Sequence, residues 1–257
     1  MTDGERPGEV LLVRRFNNDR ATLSTSGGFA GLFRAWRDHA ALWEGEPDGL
    51  ATVMMHQGLA GASLHVVNRP RDESLAWTIN FQQPATNLFL TADARLSAVT
   101  GRVFTENVRT ADTNRLFFQS IRPGSEPRES VCAVSGLDVL VILDQYYATS
   151  EQNPARFFEL ESDQYLMVLG MPGADREWIA HLDRETAQEH HRASSLLEER
   201  LLRFECGCTP RKMHAALRRI FGRNPDELFQ GEDRVETSCP RCGRRWWVRR
   251  EQFQRET

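Results

Sequence analysis

The N-terminal part of the chain passes from strand-like to helix-like hydrophobic patterns. Two short segments, EVLLVRRF (9–16) and RATLSTS (20–26), are rich in apolar and β-branched residues and predict strands. After a Gly-Gly break at 27–28, apolar residues recur at helical spacing and predict a helix over 29–43. The next run, 50–67, is apolar on nearly all sides, which predicts a buried helix.

The middle of the chain changes to a strand-like pattern. Five short segments separated by polar, Gly or Pro turns predict successive strands: SLAWTINF, TNLFLTA, SAVTGRVF, NRLFFQSIR and ESVCAVS. A helix is predicted over 136–152, and two further strands, ARFFELE and QYLMVLG, follow it. Helices before and after a run of strands predict an α+β fold with helices packed on an antiparallel sheet. We assign this body to residues 1–172.

The segment 173–205 is predicted to be a helical linker. It has high helix propensity, with apolar residues over 178–182 near one end and leucines over 196–202 near the other. No large apolar residue lies within 183–195. Because propensity alone gives marginal helices, the order of this segment would depend on docking at its two ends. An ordinary solvated surface helix is the alternative.

Composition and charge place limits on the class of protein. The 257 residues are 40% hydrophobic, which is enough for a sizeable core. There is no apolar run of roughly 18 residues and no apolar segment near the polar N-terminus, so we expect no membrane span and a cytoplasmic location. The formal net charge is −4, yet residues 203–257 carry 13 basic and 8 acidic residues. This basic tail could dock on the acidic body or bind nucleic acid.

The strongest chemical signal is the placement of the cysteines. Four of the five lie in the last 52 residues, as the Cys-x-Cys pair Cys206 and Cys208 and the Cys-x-x-Cys pair Cys239 and Cys242. In a reducing compartment such clusters more often bind metal or sense redox state than staple a fold. Four thiolates in a tetrahedral array suit Zn²⁺, with iron as the minor alternative. We predict that these four cysteines are zinc ligands.

The residues between and after the two pairs predict one compact unit over 206–257. Thr209-Pro210 is a strong helix start, and apolar residues over 213–221 lie on one helical face. RVETS and RRWWV predict a small hairpin around the Cys-x-x-Cys knuckle, with Trp246 and Trp247 on alternate sides. A unit of about 50 residues has a small core, and a structural metal is the usual remedy.

The same four sulfurs also permit redox chemistry. The members of each pair are close enough in sequence to form a disulfide on oxidation, and either disulfide would remove zinc ligands. Because such a unit depends on its metal, zinc loss would unfold it. The sequence leaves open whether the centre is a permanent staple or a switch.

Three features together resemble a known family. FECGC (204–208) is followed by TSCPRCG (237–243) across an amphipathic helix. LDQYYATSEQNPARFFEL (143–160) has the form of a helix that ends in Ser-Glu-Gln before a strand. The order of parts is an α+β body, a helical linker and a cysteine unit. On these residues the chain resembles the redox-regulated bacterial chaperones of the 33-kilodalton heat-shock protein family.

The resemblance implies an ATP-independent holdase and not an enzyme. By position, Cys206, Cys208, Cys239 and Cys242 would be the zinc ligands and the redox cysteines. Oxidation in that family forms the two near-neighbour disulfides, releases zinc and unfolds the linker. In that family, apolar surface on the body and linker is then exposed, and the protein forms a homodimer and binds unfolded client proteins under oxidative stress. The resemblance therefore implies that the body, 1–172, is the client-binding core.

A second hypothesis comes from another functional class. RRWWVRR (244–250) interleaves aromatic and basic residues, as in nucleic-acid-binding surfaces, so the unit could be a basic zinc ribbon. We find no phosphate loop and no nucleophile–base arrangement that would indicate an enzyme.

The remaining candidate side chains are given structural roles. We expect Cys132 to be a buried, inert thiol. His56 and His65 are expected to be core residues, and the adjacent His190 and His191 to be surface residues.

Overall fold

The computed structural model describes residues 10–18, 20–45, 48–151 and 153–255. The polar N-terminus and Gln152 of the Ser-Glu-Gln motif lie outside the described residues. The strands of the described ranges are β1 (Val10–Asn17), β2 (Thr22–Gly28), β3 (Ser74–Gln82), β4 (Ala85–Asp93), β5 (Ala98–Phe104), β6 (Asn114–Ile121), β7 (Arg128–Val134), β8 (Ala155–Glu159), β9 (Gln164–Gly170), β10 (Ser195–Phe204), β11 (Arg234–Ser238) and β12 (Arg245–Arg249). The helices are α1 (Ala30–Trp43), α2 (Gly49–Val67), α3 (Val139–Ser150), α4 (Arg176–Ala180), α5 (Arg184–Arg192), α6 (Pro210–Phe221), α7 (Pro225–Phe229) and α8 (Arg250–Arg255).

Ten of these strands form one sheet in the order β7-β6-β3-β4-β5-β10-β1-β2-β9-β8. Neighbouring strands are antiparallel, apart from β5 and β10. Those two pair in parallel over a short stretch, with Arg203 opposite Ala98 and Phe204 opposite Val99. β11 and β12 form a separate hairpin. The predicted α+β class with an antiparallel-sheet body is confirmed.

The main core lies between this sheet and the helices α1, α2 and α3. On β3, Leu75, Trp77, Ile79 and Phe81 are all buried, and alternate residues of β4 and β6 join them in the main core. α2 is buried along most of its length, as its all-round apolar sequence predicts. Each fully buried large apolar side chain contributes roughly 1.5–3 kcal/mol, so this layer carries most of the stability of the body. None of the described helices has the length and apolar character needed to cross a membrane.

A smaller core lies on the other side of β8 and β9. Phe157 and Met167 point into the main core, whereas their neighbours Phe158, Leu166 and Val168 face α4 and α5. Apolar side chains of both helices and of the turn between them cover this second face; they include Ile179, Leu182 and Ala187. The first half of the predicted linker is therefore helical, and it is packed on the body.

The prediction of a helix over 195–204 is wrong, because these residues form β10 in the middle of the sheet. Leu202 is buried there, opposite Leu11 of β1. The two inward positions before it are Glu198 and Arg200, which form an ion pair at 2.9 Å. Charged residues at inward positions remove the apolar alternation by which a strand is recognised. The domain boundaries at 172 and 205 stay predictions, although β10 belongs to the sheet of the body.

Candidate metal centre

The C-terminal unit begins as its sequence predicts. The hydroxyl of Thr209 accepts a hydrogen bond from the amide of Lys212 at 3.2 Å, and Pro210 is the first helical residue of α6. Both features satisfy or remove amide groups that have no partner in the first turn. Thr209 thus starts α6 directly after the second cysteine of the Cys-x-Cys pair.

The apolar core of this unit is small. Phe229, Val248 and Phe253 are its buried members, and Leu217, Phe221, Leu228 and Val235 pack against them half-buried. No residue of α6 is fully buried, and Ile220, which was expected on its packed face, is 71% exposed. A core this small is marginal for a unit of about 50 residues, and a metal or disulfides are common sources of additional stability at this size. We therefore expect the fold of the unit to depend on what its cysteines bind.

The four predicted ligand residues meet at one point. The Sγ atoms of Cys206 and Cys239 are 3.7 Å apart, and those of Cys208 and Cys242 are 3.6 Å apart. All four sulfurs lie within 4.8 Å of one another. With Zn–S bonds of about 2.3 Å, a tetrahedral site has sulfurs about 3.8 Å apart, so the spacing suits one zinc-sized ion. Zn²⁺ as the occupant stays a prediction.

Glycine allows both cysteine pairs to turn toward this point. Gly207, between Cys206 and Cys208, has a φ of +64°, and Gly243, directly after Cys242, has a φ of +76°. Residues with a Cβ rarely adopt this left-handed conformation. The knuckle is closed by hydrogen bonds from the amide of Cys239 to the carbonyl oxygen of Arg244 (2.8 Å) and from the amide of Gly243 to that of Cys239 (2.9 Å).

The thiols influence one another strongly. A hydrogen bond from Cys206 holds the pKa of the Cys239 thiol well below its ordinary value. Hydrogen bonds to Cys208 and Cys239 raise the pKa of the Cys206 thiol. Without a metal, the four sulfurs share the remaining thiol protons through these hydrogen bonds. A bound metal ion would displace those protons, because thiolates and not thiols are metal ligands. An all-sulfur donor set favours zinc over hard cations such as magnesium or calcium.

The centre is docked on the body through the backbone of its knuckle. Nε2 of His39, on α1, donates to the carbonyl oxygen of Cys242 at 2.7 Å. Nη1 of Arg102, on β5, reaches the carbonyl oxygen of Cys239 at 3.4 Å. Arg102 also forms an ion pair with Glu44 at the end of α1. Sequence reasoning missed these three body residues, because nothing in their local pattern distinguishes them from ordinary surface residues.

Other candidate residues have the expected structural roles only in part. His65 is buried in the main core, with Nδ1 2.6 Å from the hydroxyl of Tyr147, as expected of a core histidine. Burial lowers its pKa well below the ordinary value. His56 is half-buried and stacks on Phe33 with ring centroids 3.9 Å apart. Cys132, expected to be buried, is half-buried on the edge strand β7.

The prediction that His190 and His191 are surface residues holds only in part, because both are half-buried and hydrogen-bonded to β2. Nε2 of His190 lies 2.7 Å from the hydroxyl of Thr22, and Nε2 of His191 lies 3.0 Å from that of Ser26. Burial lowers the pKa of His191. The signal that was missed is the row of hydroxyl side chains on β2, which offers polar partners to a docked helix.

The basic segment at the end of the chain is partly neutralised within the unit. Arg245 pairs with Glu236 at 3.5 Å. Trp247 is 56% exposed, as expected for one of two alternating tryptophans, and the guanidinium of Arg234 lies 4.5 Å from its ring centroid. Nucleic-acid binding by this surface stays a prediction.

Comparison with known proteins places this geometry in a family. The model of the Hsp33 protein family matches residues 39–249. Among solved structures, the fold is similar to that of the 33 kDa chaperonin (heat shock protein 33 homolog) of Thermotoga maritima. The TM-score is 0.70 at 16% sequence identity, and the match covers 95% of this chain and 96% of that chain. A search of curated proteins gave no match. Since the family model spans most of the chain and all four clustered cysteines, the chain belongs to the Hsp33 protein family.

Proposed function

We propose that the chain is an ATP-independent holdase chaperone that is switched on by oxidation of its zinc-bound cysteines. The observation that carries the proposal is the convergence of Cys206, Cys208, Cys239 and Cys242 on one metal-sized site. Membership of the Hsp33 family, and the description of the Thermotoga maritima relative as a chaperonin, support the chaperone class. We further propose a cytoplasmic location, unfolded proteins as clients, and no catalytic activity of its own.

The proposed switch has a simple redox balance. In one pair of cysteines, two thiolates would give two electrons to one molecule of hydrogen peroxide, and the solvent would supply two protons. One S–S bond forms, the O–O bond breaks, and two molecules of water leave. Cys206, Cys208, Cys239 and Cys242 would hold the zinc ion, whose positive charge would stabilise the four thiolates, and each disulfide would remove two of these ligands. Two molecules of peroxide therefore suffice to empty the centre.

The position of the centre connects this chemistry to the body. Cys206 follows β10 after one residue, and β10 is held between β1 and β5. β10 also carries leucines whose side chains are at least half exposed: Leu196, Leu197 and Leu201. The end of β10 is paired with β5 over only two residues, Arg203 and Phe204, so unfolding of the cysteine unit that follows would loosen this end of the strand. A loosened β10 would add its buried Leu202 to the leucines already exposed, as a surface for clients or for a second copy in a homodimer.

The test is to treat the purified, zinc-loaded protein with peroxide at raised temperature. Zinc release is followed with a coloured chelator, and aggregation of an unfolding client is followed by light scattering. The proposal predicts about one zinc per chain released and suppression of aggregation only after oxidation. The Cys132→Ser variant is the matched control, because it removes the one cysteine outside the cluster. It should behave as the unaltered chain does.

Two outcomes would contradict different parts of the proposal. If zinc leaves but the client aggregates as it does without the protein, the chaperone assignment is wrong. If the protein suppresses aggregation equally well with zinc bound, the redox switch is wrong and the centre is a permanent staple.

A further inference from the structure

The contacts between body and knuckle form a group with a common target. His39 and Arg102 come from different elements, α1 and β5, yet each contacts the carbonyl oxygen of a clustered cysteine. These are Cys242 and Cys239, the two ends of the Cys-x-x-Cys knuckle. Each carbonyl is an acceptor only, so the body supplies one donor to each end. The two contacts fix the direction in which the knuckle presents its sulfurs.

Two contacts within the body hold the side chain of Arg102 in the orientation that contacts the knuckle. Its guanidinium lies 4.5 Å from the ring centroid of Phe104, and it forms an ion pair with Glu44. The side chains of Arg102 and Glu44 are only 20% and 21% exposed. Glu44 also lies against the backbone of Gly243, where an added Cβ would come within 2.6 Å of its carboxyl group. Gly243 therefore leaves the space that the Glu44 carboxyl group occupies beside the knuckle.

His39 contacts the knuckle and also the end of the strand that leads to the Cys-x-Cys pair. Besides its bond to Cys242, its ring packs edge-on against Phe204, with centroids 5.5 Å apart. Phe204 is two residues before Cys206, so this histidine lies between the strand that leads to one cysteine pair and the knuckle that carries the other. A site of four thiolates and one Zn²⁺ would have a net charge of about −2. Because Arg102 is already paired with Glu44, the effect of the body on the centre comes mainly from the two hydrogen bonds to the knuckle.

We infer that His39, Glu44 and Arg102 form a clamp by which the body slows zinc release from the cysteine centre. The clamp residues are positioning residues, since they act through the backbone of two ligand residues. Partners of this kind typically change metal affinity by 10- to 100-fold when removed. The inference deepens the proposed function, because it makes the threshold of the switch a property of the body as well as of the four cysteines. It rests on a metal at this site and not on chaperone activity.

The experiment measures the rate at which the zinc-loaded full chain loses zinc to excess coloured chelator, without oxidant. His39→Phe keeps the aromatic contact with Phe204 but loses the donor, and Arg102→Met keeps the length of the side chain but loses its charge. Each should release zinc about 10-fold faster. His39→Gln restores a donor and should release zinc at close to the original rate. Arg122→Met is the matched control, since Arg122 pairs with Asp72 at an exposed position outside the cysteine unit.

Zinc release from His39→Phe and Arg102→Met at the original rate would overturn the inference. Equal acceleration in His39→Phe and His39→Gln would also overturn it, because the lost bond to Cys242 would then not be the cause. If Arg102→Met lacks a cooperative thermal transition, the two His39 variants decide the matter. Faster zinc release together with no suppression of client aggregation would support the clamp and contradict the proposed function, so the two failures are distinguishable.

Discussion

The strand that leads into the cysteine centre can be tested with two adjacent leucines. Leu202 is 3% exposed and belongs to the main core, whereas Leu201 is 56% exposed on the other face of β10. We predict that Leu202→Ala destabilises the body far more than Leu201→Ala does. Both substitutions remove the same atoms from adjacent residues. The difference between their effects on the free energy of unfolding therefore shows whether successive side chains point to opposite faces, as in a strand.

The size of the difference follows from burial. Removing the side chain of a fully buried leucine costs about 2–5 kcal/mol, from lost transfer free energy and the cavity that remains. We expect about 3 kcal/mol for Leu202→Ala, because the position opposite, Leu11, is also buried and is fixed in the sheet. For the exposed Leu201 the expected change is about 0.5 kcal/mol.

Urea denaturation of the zinc-loaded variants, followed by circular dichroism, gives both free energies of unfolding. The slope of the transition should be unchanged, since the same surface is exposed on unfolding. Equal losses of unfolding free energy in the two variants would refute the assignment of 195–204 to a strand whose side chains alternate between the core and the solvent. A solvated helix over these residues would give small losses at both positions.

Three further predictions concern the centre and the body. Gly207→Ala should weaken zinc binding in a chelator competition, because its φ of +64° costs a residue with a Cβ roughly 1–2 kcal/mol; unchanged affinity would contradict this. The free energy of unfolding should fall as the pH drops through 6.5, because the unfolded chain protonates His65 while burial lowers its folded pKa. His65→Gln should reduce that pH dependence in urea titrations, and an unchanged slope would be evidence against it. Glu151→Ala should cost about 2 kcal/mol in the same assay, because Tyr146 and Arg128 lose a shared charged partner; a loss near zero would contradict this.

The elements of the body could be predicted wherever the hydrophobic period was undisturbed. α2 is apolar on all sides and is buried. Buried and half-buried residues alternate along the first part of β3, as expected for a strand with one face covered by helices. β10 could not be predicted, because the charged residues Glu198 and Arg200 occupy inward positions. Glu198 pairs there with both Arg200 and Arg15 of β1. Those partners are brought together only by the tertiary fold, so a local pattern does not contain them.

The candidate site divides in the same way. The four cysteines could be recognised from their spacing, because metal ligands of this kind recur at fixed short intervals. His39 lies 203 positions from Cys242 and contacts its backbone, for which no side-chain type is characteristic. Arg102 is likewise far from Cys239 in sequence. Contacts of a distant side chain with a main-chain carbonyl leave no motif, and only the folded structure reveals them.

The central claim is that a metal ion held by four thiolates keeps the C-terminal end folded, and that its loss loosens the adjoining strand. The most direct measurement is amide hydrogen exchange, read by mass spectrometry, on the zinc-loaded chain and on the same chain after chelation. We predict that residues 206–255 lose protection, that β10 exchanges faster, and that α2 stays protected. Equal protection of 206–255 with and without zinc would contradict the account.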